Sequence, residues 1–100
     1  STDEFATLIA DPDIQRLDVR TVAEYSEEHI PGSININVLD EQFAVIADST
    51  LQKDKPIALY CRSGKRSKKA ATILSRKGYK VYDLDKGFIG WKEAGKETEK

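Results

Sequence analysis

The chain has 100 residues, 39% hydrophobic and 33% charged, with a formal net charge of −1. That is enough for one domain around a single apolar core; acids and bases are interspersed, so no nucleic-acid or membrane surface is expected, and no apolar run approaches the roughly 20 residues of a membrane span. One cysteine excludes an intramolecular disulfide and any multi-cysteine metal site.

Ser1 with Glu4 fits a capping box, and Phe5, Leu8 and Ile9 follow at helical spacing until Asp11-Pro12-Asp13 breaks the pattern. Ile14 to Val19 reads as a strand. Thr21 with Glu24 is a second capping box and opens a short helix through Glu28. His29-Ile30-Pro31-Gly32 is a turn and Ser33 to Ile36 a brief strand, after which Asp40 is placed to cap a helix carrying Phe43, Ile46 and Ala47 on one side. Asp54-Lys55-Pro56 turns the chain into the apolar run Pro56-Ile57-Ala58-Leu59-Tyr60, a buried strand that ends at Cys61. A polar loop then leads to an amphipathic helix beginning near Lys68, with Ala70, Ile73 and Leu74 inward and Gly78 as its stop. Val81 to Leu84 is the next strand, Gly87 to Trp91 leads into a last helix, and Lys96 to Lys100 reads as a solvated, frayed tail. Strands alternating with helices predict a parallel α/β sheet covered on both faces, with ligands beyond the carboxyl ends of its strands.

The chemistry-bearing stretch is Cys61-Arg62-Ser63-Gly64-Lys65-Arg66-Ser67. A thiol at the start of a helix lies beside unpaired backbone N–H groups, where negative charge is favoured, and nearby cations add to that preference. The thiolate is the nucleophile, so Cys61 is a candidate catalytic residue. A lone cysteine after an apolar strand is more often a small core residue; the basic, glycine-containing loop around it shifts the balance to function, since Gly64 permits a cradle of converging amides. Arg66 is expected to contact an anion, Arg62 could be either contact or solvated charge, and Lys65 steers anions as a point charge. Lys68 and Lys69 read as an exposed helix face. His29, the only histidine, fits a structural role better than a cysteine–histidine pair. Glu24 is accounted for by its capping box, Asp18 with Arg20 by an ion pair bracing the rim, and Phe88 and Trp91 by the core.

Four stretches together resemble the rhodanese domain: Leu17-Asp18-Val19-Arg20, Tyr25 to Ser33, Tyr60 to Ser67, and Lys86-Gly87-Phe88-Ile89-Gly90-Trp91. The resemblance implies a three-layer α/β fold with a central parallel sheet of about five strands, residues 1–100 forming one rhodanese domain. It implies a thiosulfate sulfurtransferase in which Cys61 takes a sulfane sulfur, from thiosulfate or a persulfide, and passes it to cyanide or a thiol. Arg62, Ser63, Gly64, Lys65, Arg66 and Ser67 would form the substrate-binding loop. No cofactor or metal is implied. The expected partners are a small anionic sulfur donor, a thiophilic acceptor and, in a sulfur-relay alternative, a protein acceptor; neither nucleic acid nor membrane is expected. A cytoplasmic protein is expected, although the start at Ser1 rather than Met leaves a removed leader and a periplasmic location open. Phosphatases and arsenate reductases of the same fold carry Cys, five residues, then Arg. Here Arg66 follows Cys61 after four, a loop tight for tetrahedral phosphate. Ser33 and Lys86 replace a common alanine and glycine. Glu24 stands where some two-domain relatives place a basic thiosulfate-binding residue, and an acid there opposes a dianionic donor.

Overall fold

In a computed structural model describing all 100 residues, the elements run α1 (Thr2–Ile9), β1 (Gln15–Asp18), α2 (Val22–Glu27), β2 (Ile34–Asn35), α3 (Phe43–Thr50), β3 (Ile57–Tyr60), α4 (Lys65–Arg76), β4 (Val81–Asp83) and α5 (Gly87–Glu93). The sheet has the order β2-β1-β3-β4 and every pairing is parallel. Four strands form, not about five. Beyond β2 the chain continues beside the end of β1 through two backbone bonds, Ile36 N–H to Asp18 O at 3.0 Å and Val38 N–H to Val19 O at 3.1 Å, and adds no further strand.

The central strand β3 explains the layers. Ile57, Ala58, Leu59 and Tyr60 are all fully buried, and because successive side chains leave a strand on opposite faces, they seed two cores. Ile57 and Leu59 join Leu17, Phe43, Ala47, Ala70 and Leu74, so α3 and α4 cover that face. Ala58 and Tyr60 join Phe5, Ile9, Ile30, Phe88 and Trp91, so α1 and α5 cover the other. Burying a leucine such as Leu74 fully is worth about 1.5–3 kcal/mol. Helix α2 contributes no buried residue; it belongs to the rim, not to either core.

Both capping boxes form, Ser1 with Glu4 and Thr21 with Glu24. Helix α4 ends as expected: Tyr79 N–H reaches Leu74 O and Gly78 N–H reaches Ser75 O, both at 3.1 Å. The strands are shorter than the sequence suggests by one or two residues, and the starts of two helices differ from the sequence reading. Asp40 does not cap α3; its carboxylate accepts Gln42 N–H at 2.8 Å within the preceding turn, and the helix starts at Phe43 without a side-chain cap. Helix α4 starts at Lys65 rather than near Lys68, because its first turn is polar and the apolar periodicity begins only at Ala70.

The last residues, expected to be frayed, are docked. His29 and Glu99 exchange backbone bonds of 2.8 and 2.9 Å, and Trp91 Nε1 donates to Glu97 O at 2.7 Å. No helix is long and apolar enough to cross a membrane.

Candidate active site

The carboxyl ends of β1 and β3 and the turn after β4 meet around Cys61. At residue 61 the chain leaves β3 and turns into α4 through Arg62, Ser63 and Gly64, the last at φ 100°. No side chain caps α4. In place of a capping oxygen, Cys61 Sγ accepts the Gly64 N–H at 3.0 Å. Burial raises the thiol pKa, but the Ser67 hydroxyl and the amides of Ser67, Gly64 and Ser63 outweigh it and hold the pKa below the ordinary thiol value. Cys61 is only 1% exposed and packs in the larger core. Burial of that kind fits a core thiol; an amide directed at the sulfur and a lowered pKa do not.

Ser67 is fully buried under the loop, its hydroxyl 3.2 Å from Gly64 O. Arg62, Ser63 and Lys65 are exposed. Asp83, at the end of β4, is pushed up by burial against the opposing pull of Ser67 and Lys68, and its Oδ1 has no hydrogen-bond partner.

The wall behind the loop is the turn from β4 into α5, a stretch that the sequence marks as part of the family resemblance and as the way into a helix but not as a wall of the site. Phe88 N–H donates to Cys61 O at 2.8 Å and Ile89 N–H to Arg62 O at 3.0 Å. The approach is close enough to demand glycine twice. A Cβ on Gly64 would lie 2.1 Å from Asp85 O, and one on Gly87 would lie 2.4 Å from Arg62 O.

Arg66 does not stand free to meet an anion. It forms a two-pronged pair with Glu24, Nη1 to Oε1 at 2.8 Å and Nη2 to Oε2 at 3.0 Å. The same Glu24 Oε1 also accepts Thr21 N–H at 3.0 Å, so one carboxylate caps α2 and ties it to the first turn of α4. The Arg66 guanidinium, working against desolvation and helped by Thr21, holds the Glu24 pKa down to about 2. Sequence reading missed this pair because Glu24 was fully explained by its cap. The signal that could have found it was an acid where a substrate-facing base was expected.

Asp18 and Arg20 form the expected ion pair, with Arg20 Nη2 to Asp18 Oδ2 at 2.7 Å, both residues buried. The Arg20 guanidinium lies 4.3 Å from the Phe88 ring centre. His29 is held between Tyr25 O (Nδ1, 2.7 Å) and Glu99 (Nε2, 3.1 Å) and stacks on the Tyr25 ring, which accounts for it structurally. No three His, Cys, Asp or Glu side chains converge to hold a metal ion.

Residues 1–94 match the family model for the rhodanese-like domain. A sulfurtransferase of Allochromatium vinosum is 34% identical over 84 residues, covering 83% of this chain and 76% of that protein. The thiosulfate sulfurtransferase GlpE of Coxiella burnetii is 36% identical over 87 residues, covering 85% and 78%. Among solved structures, a rhodanese-related protein from Thermoplasma volcanium superposes with a TM-score of 0.82 at 30% identity, covering 98% of this chain and 93% of its own.

Proposed function

The chain belongs to the rhodanese family, with sulfur transfer as its general chemistry, and on that premise we propose that it is a sulfurtransferase working through a persulfide on Cys61. The observation that carries this reading is the Gly64 amide aimed at Sγ at 3.0 Å, at the head of α4, on a thiol whose pKa is lowered despite burial.

The cycle has two displacements. The Cys61 thiolate attacks the outer sulfur of the donor; the donor's S–S bond breaks, and sulfite or a thiolate leaves with the bonding pair. The new Cys61 persulfide carries negative charge at its outer sulfur, where the loop amides and the start of α4 stabilise it. An acceptor, cyanide or a thiol, then attacks that outer sulfur and Cys61 departs as thiolate. Kinetics of the ping-pong type follow.

Arg62, Ser63, Gly64, Lys65, Arg66 and Ser67 make the substrate loop in this reading, but not equally. Gly64, Ser63 and Ser67 offer donors to the sulfur, whereas the charge of Arg66 is balanced by Glu24. That balance supports a persulfide over dianionic thiosulfate as the favoured donor. The short loop also disfavours a phosphatase or arsenate reductase.

A protein acceptor is the second reading. Val22, 68% exposed, follows the end of β1, and Leu39, 59% exposed, follows β2, which leaves apolar side chains on the chain segments that exit the sheet's carboxyl ends. A relay of this kind would load Cys61 normally and unload slowly to small acceptors.

Mass spectrometry after incubation with thiosulfate, or with a low-molecular-weight persulfide, tests the reading. The expected result is a reducible gain of one sulfur atom that is absent in Cys61→Ser. Loading that persists in Cys61→Ser, or turnover of an oxyanion with no sulfur gain, would overturn it.

A further inference from the structure

Beside the loop lies a cavity of about 330 Å³ whose walls come from Arg20, α2 and the residue that ends it, the residue after Cys61, and α5. Its charged lining is balanced, with Arg20, Arg62 and Lys92 against Glu24, Glu27 and Glu28. Most of these charges are already satisfied. Arg20 pairs with Asp18, Glu24 with Arg66, and Glu28 with Lys92 at 2.6 Å. The side chains of Arg62 and Glu27 make no ion pair or hydrogen bond, so one cation and one anion remain facing a single cavity.

A third group is left over. Arg20 is 4% exposed. Its Nε and Nη2 are taken up by Asp18 and by Glu28 O, while Nη1 has no acceptor. Nη1 therefore has no partner within the protein, and Arg20 is one of the residues that line this cavity. A guanidinium N–H without a protein partner at a cavity wall can donate to an acceptor placed there.

We propose that this cavity is the subsite for a zwitterionic persulfide of the α-amino-acid type, its carboxylate between Arg62 and Arg20 Nη1 and its ammonium at Glu27. The inference rests on sulfur transfer at Cys61 and names the donor class. A dianion would gain from Arg62 and be repelled by Glu27; an uncharged persulfide would leave both groups solvated and unused. The zwitterion alone answers each leftover charge. Arg62 adjoins the thiol in the chain, and Phe88, another lining residue, holds Cys61 O through its amide at 2.8 Å. Cavity and loop therefore share a wall. The reaction balances without a further reactant: the Cys61 thiolate takes the outer sulfur of the bound persulfide, and the amino-acid thiolate leaves with the pair from the broken S–S bond.

The test compares three donors, cysteine hydropersulfide, 2-hydroxyethyl hydropersulfide and thiosulfate, by the rate of sulfur loading on Cys61. The protein is expected to favour cysteine hydropersulfide over the hydroxyethyl donor. In Glu27→Gln and in Arg62→Gln the ratio of kcat/KM between those two donors should fall about tenfold, or about 1.4 kcal/mol. Both side chains are exposed, so the variants should fold. If Cys61 loads from all donors and neither substitution moves the ratio, the subsite falls while sulfur transfer stands. If Cys61 loads from none, both fall.

Discussion

A thiol as enclosed as Cys61 loses the hydration a thiolate needs, and burial alone would make it a poor nucleophile. The opposing influences come from its own loop: the Gly64 amide is bonded to Sγ at 3.0 Å, and the nearby Ser67 hydroxyl, which also reaches Gly64 O, and the Ser67 amide lower the thiol pKa further. Ser67→Ala removes the hydroxyl while keeping the amide and the helix. The rate of Cys61 alkylation against pH should therefore have its midpoint below that of a free cysteine in the native protein, and higher in Ser67→Ala. An unmoved midpoint would show that the amides alone set the thiol's acidity. The thiol's position at the end of a buried strand, and the glycine three residues on, were legible in the sequence because both are local. Its degree of enclosure was not, since it depends on Leu84 to Phe88 folding back onto the loop from more than twenty residues away.

At the level of elements, the loop's shape depends on two glycines. Gly64 combines a positive φ with an approach that leaves no room for a Cβ against Asp85 O, and the obstruction is backbone, which cannot swing aside. Gly64→Ala should cost about 1–3 kcal/mol in strain and displacement and turn the Gly64 amide away from Sγ. Thermal melting would show the first effect and a raised alkylation midpoint the second; a variant with native melting and native alkylation would contradict the geometry. Helices α2 and α4 are joined across the rim by Glu24 and Arg66, 42 residues apart. Glu24 titrates lower folded, at about 2, than the ordinary glutamate of an unfolded chain. The stabilisation is therefore present above the unfolded value, near 4.3, and is lost as pH falls from there toward 2. The pair is partly exposed, so its worth is on the order of 1 kcal/mol. Glu24→Gln should make the protein less stable at neutral pH and flatten the loss of stability between those limits; denaturant midpoints measured across that range would reveal an unchanged slope if the pair is immaterial. Both capping boxes and the Schellman end of α4 could be read in advance because each is an i to i+3 or i+5 pattern. The second duty of Glu24 could not, because nothing in the local pattern points to Arg66. Asp40 erred in the same way: an aspartate before a helix is a cap or a turn, and only its neighbours' backbone decides which.

Across the whole molecule, the two cores are held by the sheet, but α2 buries nothing and depends on polar ties at its ends. Arg66 holds its first turn. Its far end is held by the last residues of the chain, a link no sequence period could reveal because His29 and Glu99 lie 70 positions apart. Glu99 bonds His29 through backbone and side chain and also accepts Gly32 N–H at 3.0 Å, which its depressed pKa reflects. Thr98 and Lys92 both reach Glu28, the residue that ends α2. Removing Thr98 to Lys100 would leave His29, 5% exposed at present, with its Nε2 and backbone groups open to solvent. Water would replace part of what is lost, so the cost should be about 1 kcal/mol, or about 4–8 °C in Tm for a domain of this size. Sulfur loading on Cys61 should survive, since none of these bonds touches the loop between Cys61 and Ser67. A truncated chain that melts with the intact one would mean that the His29–Glu99 bridge adds nothing to stability. One that melts lower but loads sulfur normally would separate what braces α2 from what activates the thiol.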